Sequence, residues 1–197
     1  MTEKEKSTQE AILLATIDCI EEHGIEHLTT RMIAEKAGAN IASINYYFRT
    51  KEILVNKALE ITIIHMLEDV IETIEDTTLP FRQILKDVFF YLIEGGRKFP
   101  GITTAHLYSL VVEKDFQSIS ARSFREAFDR ILGRVLENFP DHDPARLRLI
   151  LSNIFSTIMF MMLTPGFYDQ DEKYQPSDTE RCQILAEHYT EWFYAMV

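Results

Sequence analysis

Between Asn40 and Lys51 the chain reads NIASINYYFRTK. Asn40, Ser43, Asn45, Tyr46, Tyr47 and Thr50 are neutral hydrogen-bonding residues, with Arg49 and Lys51 interleaved at the end. Thr30 and Arg31 add another hydroxyl and a guanidinium upstream. Such a set suits recognition: amides and hydroxyls for base edges, cations and hydroxyls for phosphate oxygens. From Thr30 to Lys51 the bases are Arg31, Lys36, Arg49 and Lys51, and Glu35 is the one acid. The whole chain carries a formal net charge of −11. A small basic island on an acidic chain is a local surface feature, which argues against non-specific coating of nucleic acid.

The elements that must hold these residues read as helices. Apolar positions recur with a helical period almost throughout, and no strand-like alternation is sustained. A first helix is expected over about Ser7–His23, with Ser7 and Glu10 as a capping box and Gly24 ending it. A short second helix runs from Thr29 or Thr30 to Ala37, closed by Gly38. Asn40 caps a third over Ile41–Phe48, and Thr50 caps a long fourth over Lys51–Glu75. Two short helices separated by AGAN form a helix-turn-helix. In the third, Ile41, Ile44 and Phe48 make the inward stripe. Ala42, Ser43, Tyr46 and Tyr47 then face outward, with Asn45 at the margin. Small polar outward residues are what a helix needs to enter a major groove roughly 12 Å wide.

Further helices are expected over about Phe81–Phe99 (Thr78 as cap, Pro80 in the first turn), Pro100–Lys114, Ser118–Asn138 and Pro144–Leu163, the last capped by Asp143. A loop, TPGFYDQDEKYQP, precedes a final helix that opens on a capping box of Ser177 and Glu180. The fold class is thus all-α. Residues 1–52 form a helix-turn-helix domain, and residues 53–197 form a larger helical body.

Two C-terminal helices are apolar on more than one face, which suggests that they serve both a core and a two-fold interface. The expected interface residues are Leu147, Leu151, Ile154, Ile158 and Met162 on one helix and Leu185, His188, Tyr189, Trp192 and Met196 on the other. Pairing of two such hairpins makes a four-helix bundle. Two recognition helices about one turn of DNA apart (roughly 34 Å) then read a palindrome. In the middle of the body, His65, Phe89, Tyr91, His106, Tyr108, Phe124, Phe128, Phe155 and Met159 are candidates to line a cavity. Their chemistry suits a mostly apolar small molecule with a few polar anchors.

Other classes are disfavoured. HExxH, GxSxG, P-loop and GxGxxG strings are absent, so no enzymatic site is expected. No cofactor and no metal site are expected either: Gly24 breaks the helix between His23 and His27. Cys19 and Cys182 read as buried free thiols of a cytoplasmic protein. No signal peptide is evident, and the apolar run IFSTIMFMML is too short to span a bilayer.

The stretch LTTRMIAEKAGANIASINYYFRTKEIL, Leu28–Leu54, resembles the DNA-binding domain of the TetR family of transcriptional repressors. The pattern is a Thr-started helix, IA..AG, a short recognition helix ending in YYF, then..KE..L. Ala39–Asn40 stand where VS is frequent, and Asn45 stands where a tyrosine is frequent. The resemblance implies a homodimer on a double-stranded DNA operator, released by a small-molecule effector. It implies that Thr30 and Arg31 touch phosphate and that Asn40 and Ser43 face the groove. Tyr46 and Tyr47 would meet phosphate or a thymine methyl, and Thr50 and Lys51 would grip phosphate through backbone N–H groups and charge. The alternative is a helical ligand-binding or interaction protein whose helix-turn-helix leaves DNA alone. Steep salt dependence of duplex binding separates the two.

Overall fold

The computed structural model describes residues 3–164, 167 and 178–197. Among these residues there are nine helices and no strand: α1 (Glu3–His23), α2 (Thr30–Lys36), α3 (Ile41–Phe48), α4 (Lys51–Glu75), α5 (Phe81–Lys98), α6 (Pro100–Val111), α7 (Ile119–Asn138), α8 (Pro144–Leu163) and α9 (Thr179–Met196).

Local chemistry sets most of the boundaries. The side chains of Thr29, Asn40, Thr50, Ser118, Asp143 and Asp178 each accept a backbone N–H of the first turn that follows. Each satisfies a donor that the helix leaves orphaned. Gly24 and Gly38 stand at φ +77° and +61°, a region glycine enters without steric cost, and end α1 and the α2 turn.

Two expected caps do not form as read. Helix α1 begins at Glu3, so Ser7 lies inside it; Glu and Lys are good helix formers and carry the helix past the apparent cap. Thr78 is engaged instead with Asp76, whose carboxylate accepts from its N–H at 2.6 Å and its hydroxyl at 2.7 Å. Pro80 then sits at the start of α5 with no side-chain cap. Ser177, and the loop before it apart from Thr164 and Phe167, lie outside the described residues. Helix α6 also ends earlier than expected, at Val111.

The apolar faces assemble two cores. One gathers Ile12, Ile20, Leu28, Ile33, Ile44 and Phe48 from the head with Leu54, Val55 and Leu59 of α4, and Ile102 and Ala105 of α6 complete it. The other runs through Val70 and Ile74 of α4 into α5, α7, α8 and α9. Helix α4 therefore belongs to both cores, its first half to one and its second half to the other. It packs most extensively on α7, and α5 on α9.

The C-terminal faces differ from expectation. Leu147, Leu151, Ile154, Ile158 and Met162, with Leu185 and Tyr189, are buried inside the protomer. The apolar stripe of each helix is consumed by its own chain's core. Of the expected interface residues, His188, Trp192 and Met196 keep exposed surface, joined by Leu149 and Ile184, which are 61% and 52% exposed. Helix α8 is long and apolar enough to cross a membrane by length and composition. Its inward face is core, and Asn153, Ser156 and Thr157 are exposed on the other.

Candidate nucleic-acid interface

Helix α3 is eight residues long, held between two side-chain caps. Asn40 Oδ1 accepts from the Ser43 N–H at 2.7 Å and lies 3.0 Å from the Ser43 hydroxyl. Ile44 and Phe48 are 1% exposed and anchor the helix to the head. The outward face is rotated by about one residue, roughly 100°, from the expected one. Ile41 and Asn45 are exposed along with Ala42 and Tyr46, while Ser43 and Tyr47 are half-buried. Ile41 is 46% exposed and contributes nothing to the inward stripe. The physical reason is length: two anchors one turn apart fix a two-turn helix, and its first residue lies beyond the edge of the core. Tyr46 is 74% exposed and stands edge-on to Tyr47 at 5.1 Å between ring centroids. Tyr47 leans in turn on Phe48 at 6.4 Å.

The four cations fare differently. Lys36 is paired with Glu22 and Asp18, tying α2 to α1. Lys51 donates its ammonium to the Leu28 carbonyl at 3.0 Å, tying the start of α4 to the turn before α2. Arg31 and Arg49 are exposed, and their side chains make no hydrogen bond or ion pair among the described residues. Thr30 is half-buried at the first position of α2.

The expected phosphate clamp at Thr50 and Lys51 is already engaged within the protein. Thr50 Oγ1 accepts the Ile53 N–H at 3.2 Å. Glu52 sits over the same helix start, where its own backbone N–H and the Thr50 side chain hold its carboxyl below the usual range. A carboxylate there is favoured by the positive end of α4.

Sequence reasoning counted Arg49 as a base but assigned it no role. It has φ +62° and ψ −52°. The Arg49 N–H closes α3 on the Asn45 carbonyl at 3.0 Å, and the Thr50 N–H reaches the Phe48 carbonyl at 2.7 Å. That bond across one residue is a γ-turn of the strained hand. Holding a side chain in such a region costs about 1–3 kcal/mol. The available signal was the spacing: a single residue separates the end of one helix from the cap of the next.

The head meets the body at a second joint besides α4. The backbone N–H of Ile102, in the first turn of α6, donates to Glu21 Oε2 of α1 at 2.9 Å. A Cβ on Gly101 would lie 2.6 Å from the Glu21 carbonyl oxygen, so only glycine lets the two backbones approach this closely. Further along α6, His106 is buried between α4 and α7. Its Nε2 lies 2.9 Å from Thr62 Oγ1 and its Nδ1 2.9 Å from Ser120 Oγ. The Thr62 hydroxyl donates to the Leu59 carbonyl. That pattern assigns the proton to Nε2 and makes Nδ1 the acceptor from Ser120. Burial pushes the imidazole down to about 4, so it is neutral.

The expected effector residues divide into separate groups. His106 meets Phe124 edge-on at 6.4 Å. Phe89, Phe155 and Phe128 form a chain of edge contacts at 6.2 Å and 5.5 Å in the main core. Tyr108 and Met159 are half-buried. The Tyr91 hydroxyl donates to Asp69 at 2.6 Å; burial, with Asp69 second, holds the phenol protonated. His65 is on the outer face of α4 with Glu68 at 3.8 Å, so it lines no internal site. The inward positions of α4 are Ile63, Val70 and Ile74, and His65 falls off their stripe.

The architecture is an all-helical body carrying a helix-turn-helix whose exposed Asn45 and Tyr46 side chains make no hydrogen bond among the described residues. Residues 12–58 match the family described as bacterial regulatory proteins, tetR family. No curated protein matches the sequence. Among solved structures, a TetR family transcription regulator from Marinobacter aquaeolei superposes with TM-score 0.66 at 18% identity, covering 100% of this chain and 98% of that one. A TetR transcription regulator from Haloarcula marismortui gives 0.69 at 18% identity, covering 94% and 97%. The fatty acid degradation regulator FadR from Bacillus halodurans gives 0.69 at 16% identity, covering 94% of each chain. Residues 12–58 are thus similar to the DNA-binding domain of that family, and the solved structures share the fold of the whole chain.

Proposed function

We propose that the protein is a cytoplasmic, homodimeric repressor that binds a palindromic operator and is released by a small, mostly apolar effector. Residues 1–52 serve as the reading head and residues 53–197 as the effector-binding and dimerisation body. The observation that carries the reading is the surface of α3: Asn45 and Tyr46 are exposed, and no side-chain hydrogen bond holds either among the described residues. Arg31 and Arg49, unpaired among the described residues, supply charge at the two ends of the motif. Two-fold pairing through the outward faces of α8 and α9, where Leu149, Ile184, His188 and Met196 are exposed, would place two such helices on one duplex.

The effector step rests on the two joints between head and body. A ligand among α4, α6 and α7 would bias both the tilt of α4 and the seat of α6 on α1. A coupling of roughly 1–3 kcal/mol is enough to change operator occupancy substantially. The aromatic side chains of Phe124, Phe128 and Phe155, half-buried on α7 and α8, favour an apolar effector.

The test is a duplex enriched from a randomised pool, titrated by fluorescence anisotropy over a range of salt. We expect a palindromic sequence, two chains per duplex by sedimentation, and affinity that falls steeply with salt. Absence of any enriched sequence would favour the helical interaction protein instead.

A further inference from the structure

We infer that Arg49, outside the set of residues the sequence assigns to DNA, is the phosphate anchor at the recognition-helix end of the motif. This rests on the DNA-binding reading above and deepens it. Three independent observations converge. First, the side chains expected to anchor phosphate here are already engaged within the protein: Lys51 holds the Leu28 carbonyl, Thr50 holds the Ile53 N–H, and Glu52 occupies the start of α4. Lys36 is held by α1. Second, the Arg49 guanidinium is exposed and without a partner among the described residues. It stands one turn along from Tyr46, the most exposed ring of α3. Third, its backbone occupies a region that favours glycine, at φ +62°. A position where glycine would be strain-free but an arginine stands is the kind of local conflict that functional sites retain.

Arg49 therefore acts in two ways. Its backbone makes the one-residue reversal that orients α3 against α4, because the N–H closes α3 and the next residue caps α4. Its exposed side chain carries a positive charge from that reversal. A planar guanidinium suits bidentate capture of phosphate oxygens, where a lysine engages as a point charge.

The experiment compares Arg49→Gln, Arg49→Lys and Arg49→Gly in the full-length protein on the enriched duplex. Gln removes the charge and keeps the backbone restraint. Gly removes both, and Lys keeps both. We expect Gln and Gly each to bind about tenfold more weakly at moderate salt. The slope of log K against log salt should fall by about one in each. The Lys variant should keep the wild-type slope. Thermal melting without DNA should place Gly at or above Gln, because the strain is relieved. A Gln variant with the wild-type slope would overturn the phosphate role, and a Gly variant melting well below Gln would overturn the strained turn. If the wild-type protein itself binds no duplex, the DNA-binding reading fails first, which the variants cannot mimic.

Discussion

Head and body treat their polar side chains in opposite ways. In the body, His106 and Glu94 are satisfied from within, while His142 Nδ1 is buried without a hydrogen-bond partner among the described residues. His106 is held by Thr62 and Ser120. Glu94, 6% exposed, accepts from Arg97 and from the Thr179 hydroxyl, with Lys98 at 3.2 Å. Those bonds, Arg97 foremost, hold the Glu94 carboxyl far below its usual range. Burial first, and that carboxylate second, push the Cys182 thiol up to about 12, so it stays protonated. On α3, by contrast, the exposed side chains of Asn45 and Tyr46 make no hydrogen bond among the described residues. Satisfied polar groups specify a fold, while unsatisfied exposed ones are available to a second molecule. The contrast marks where stability and recognition separate in this chain.

The contrast can be attacked from the body first. Phe89 is fully buried and touches Phe155 and Tyr189. Phe89→Ala should cost about 3–5 kcal/mol in urea unfolding. A loss below about 1 kcal/mol would mean that the core is looser than its ring contacts indicate.

Next comes pH. The His106 imidazole is lowered from 6.5 to about 4 in the fold. Between those values the unfolded chain takes up a proton that the native chain refuses. Stability must therefore fall as pH drops through that window, by up to about 3 kcal/mol, and level off below it. His106→Gln should flatten that part of the pH profile. An unchanged profile would assign the acid sensitivity to other groups.

Lys51→Ala removes the bond to the Leu28 carbonyl. The sequence suggests an effect on DNA binding with little on stability. The structure revises this to a stability loss of about 1 kcal/mol, measurable by thermal melting.

Smallest in stability is Tyr46→Ala, expected within about 0.5 kcal/mol of wild type while operator binding weakens about tenfold. A melted domain in this variant would make Tyr46 a core residue and erase the contrast.

Caps were the most legible feature of the sequence. Asn40, Thr50 and Asp143 act on residues two or three positions away, so a local string contains both partners. The facing of α3 was less legible, because a two-turn helix offers too few apolar residues to fix its angle. That is why Ile41 and Asn45 proved exposed together. The apolar stripe of α8 was visible, but periodicity reports that a face is buried and not by whom. Leu147, Leu151 and Ile154 are covered by their own chain. The partner of Lys51 lies 23 residues upstream, and that of Ile102 lies 81 residues upstream, where only the folded chain brings them together.

The bare backbone contact between Gly101 and Glu21 also bears on how such proteins can be recombined. A chimaera that grafts a foreign reading head at residue 52 would keep this α6 but replace the α1 it rests on. The graft would have to present an acidic side chain and an unobstructed carbonyl at the same place, or the seam would open. The head is separable on paper at one junction, yet it is inherited as two pieces that must match.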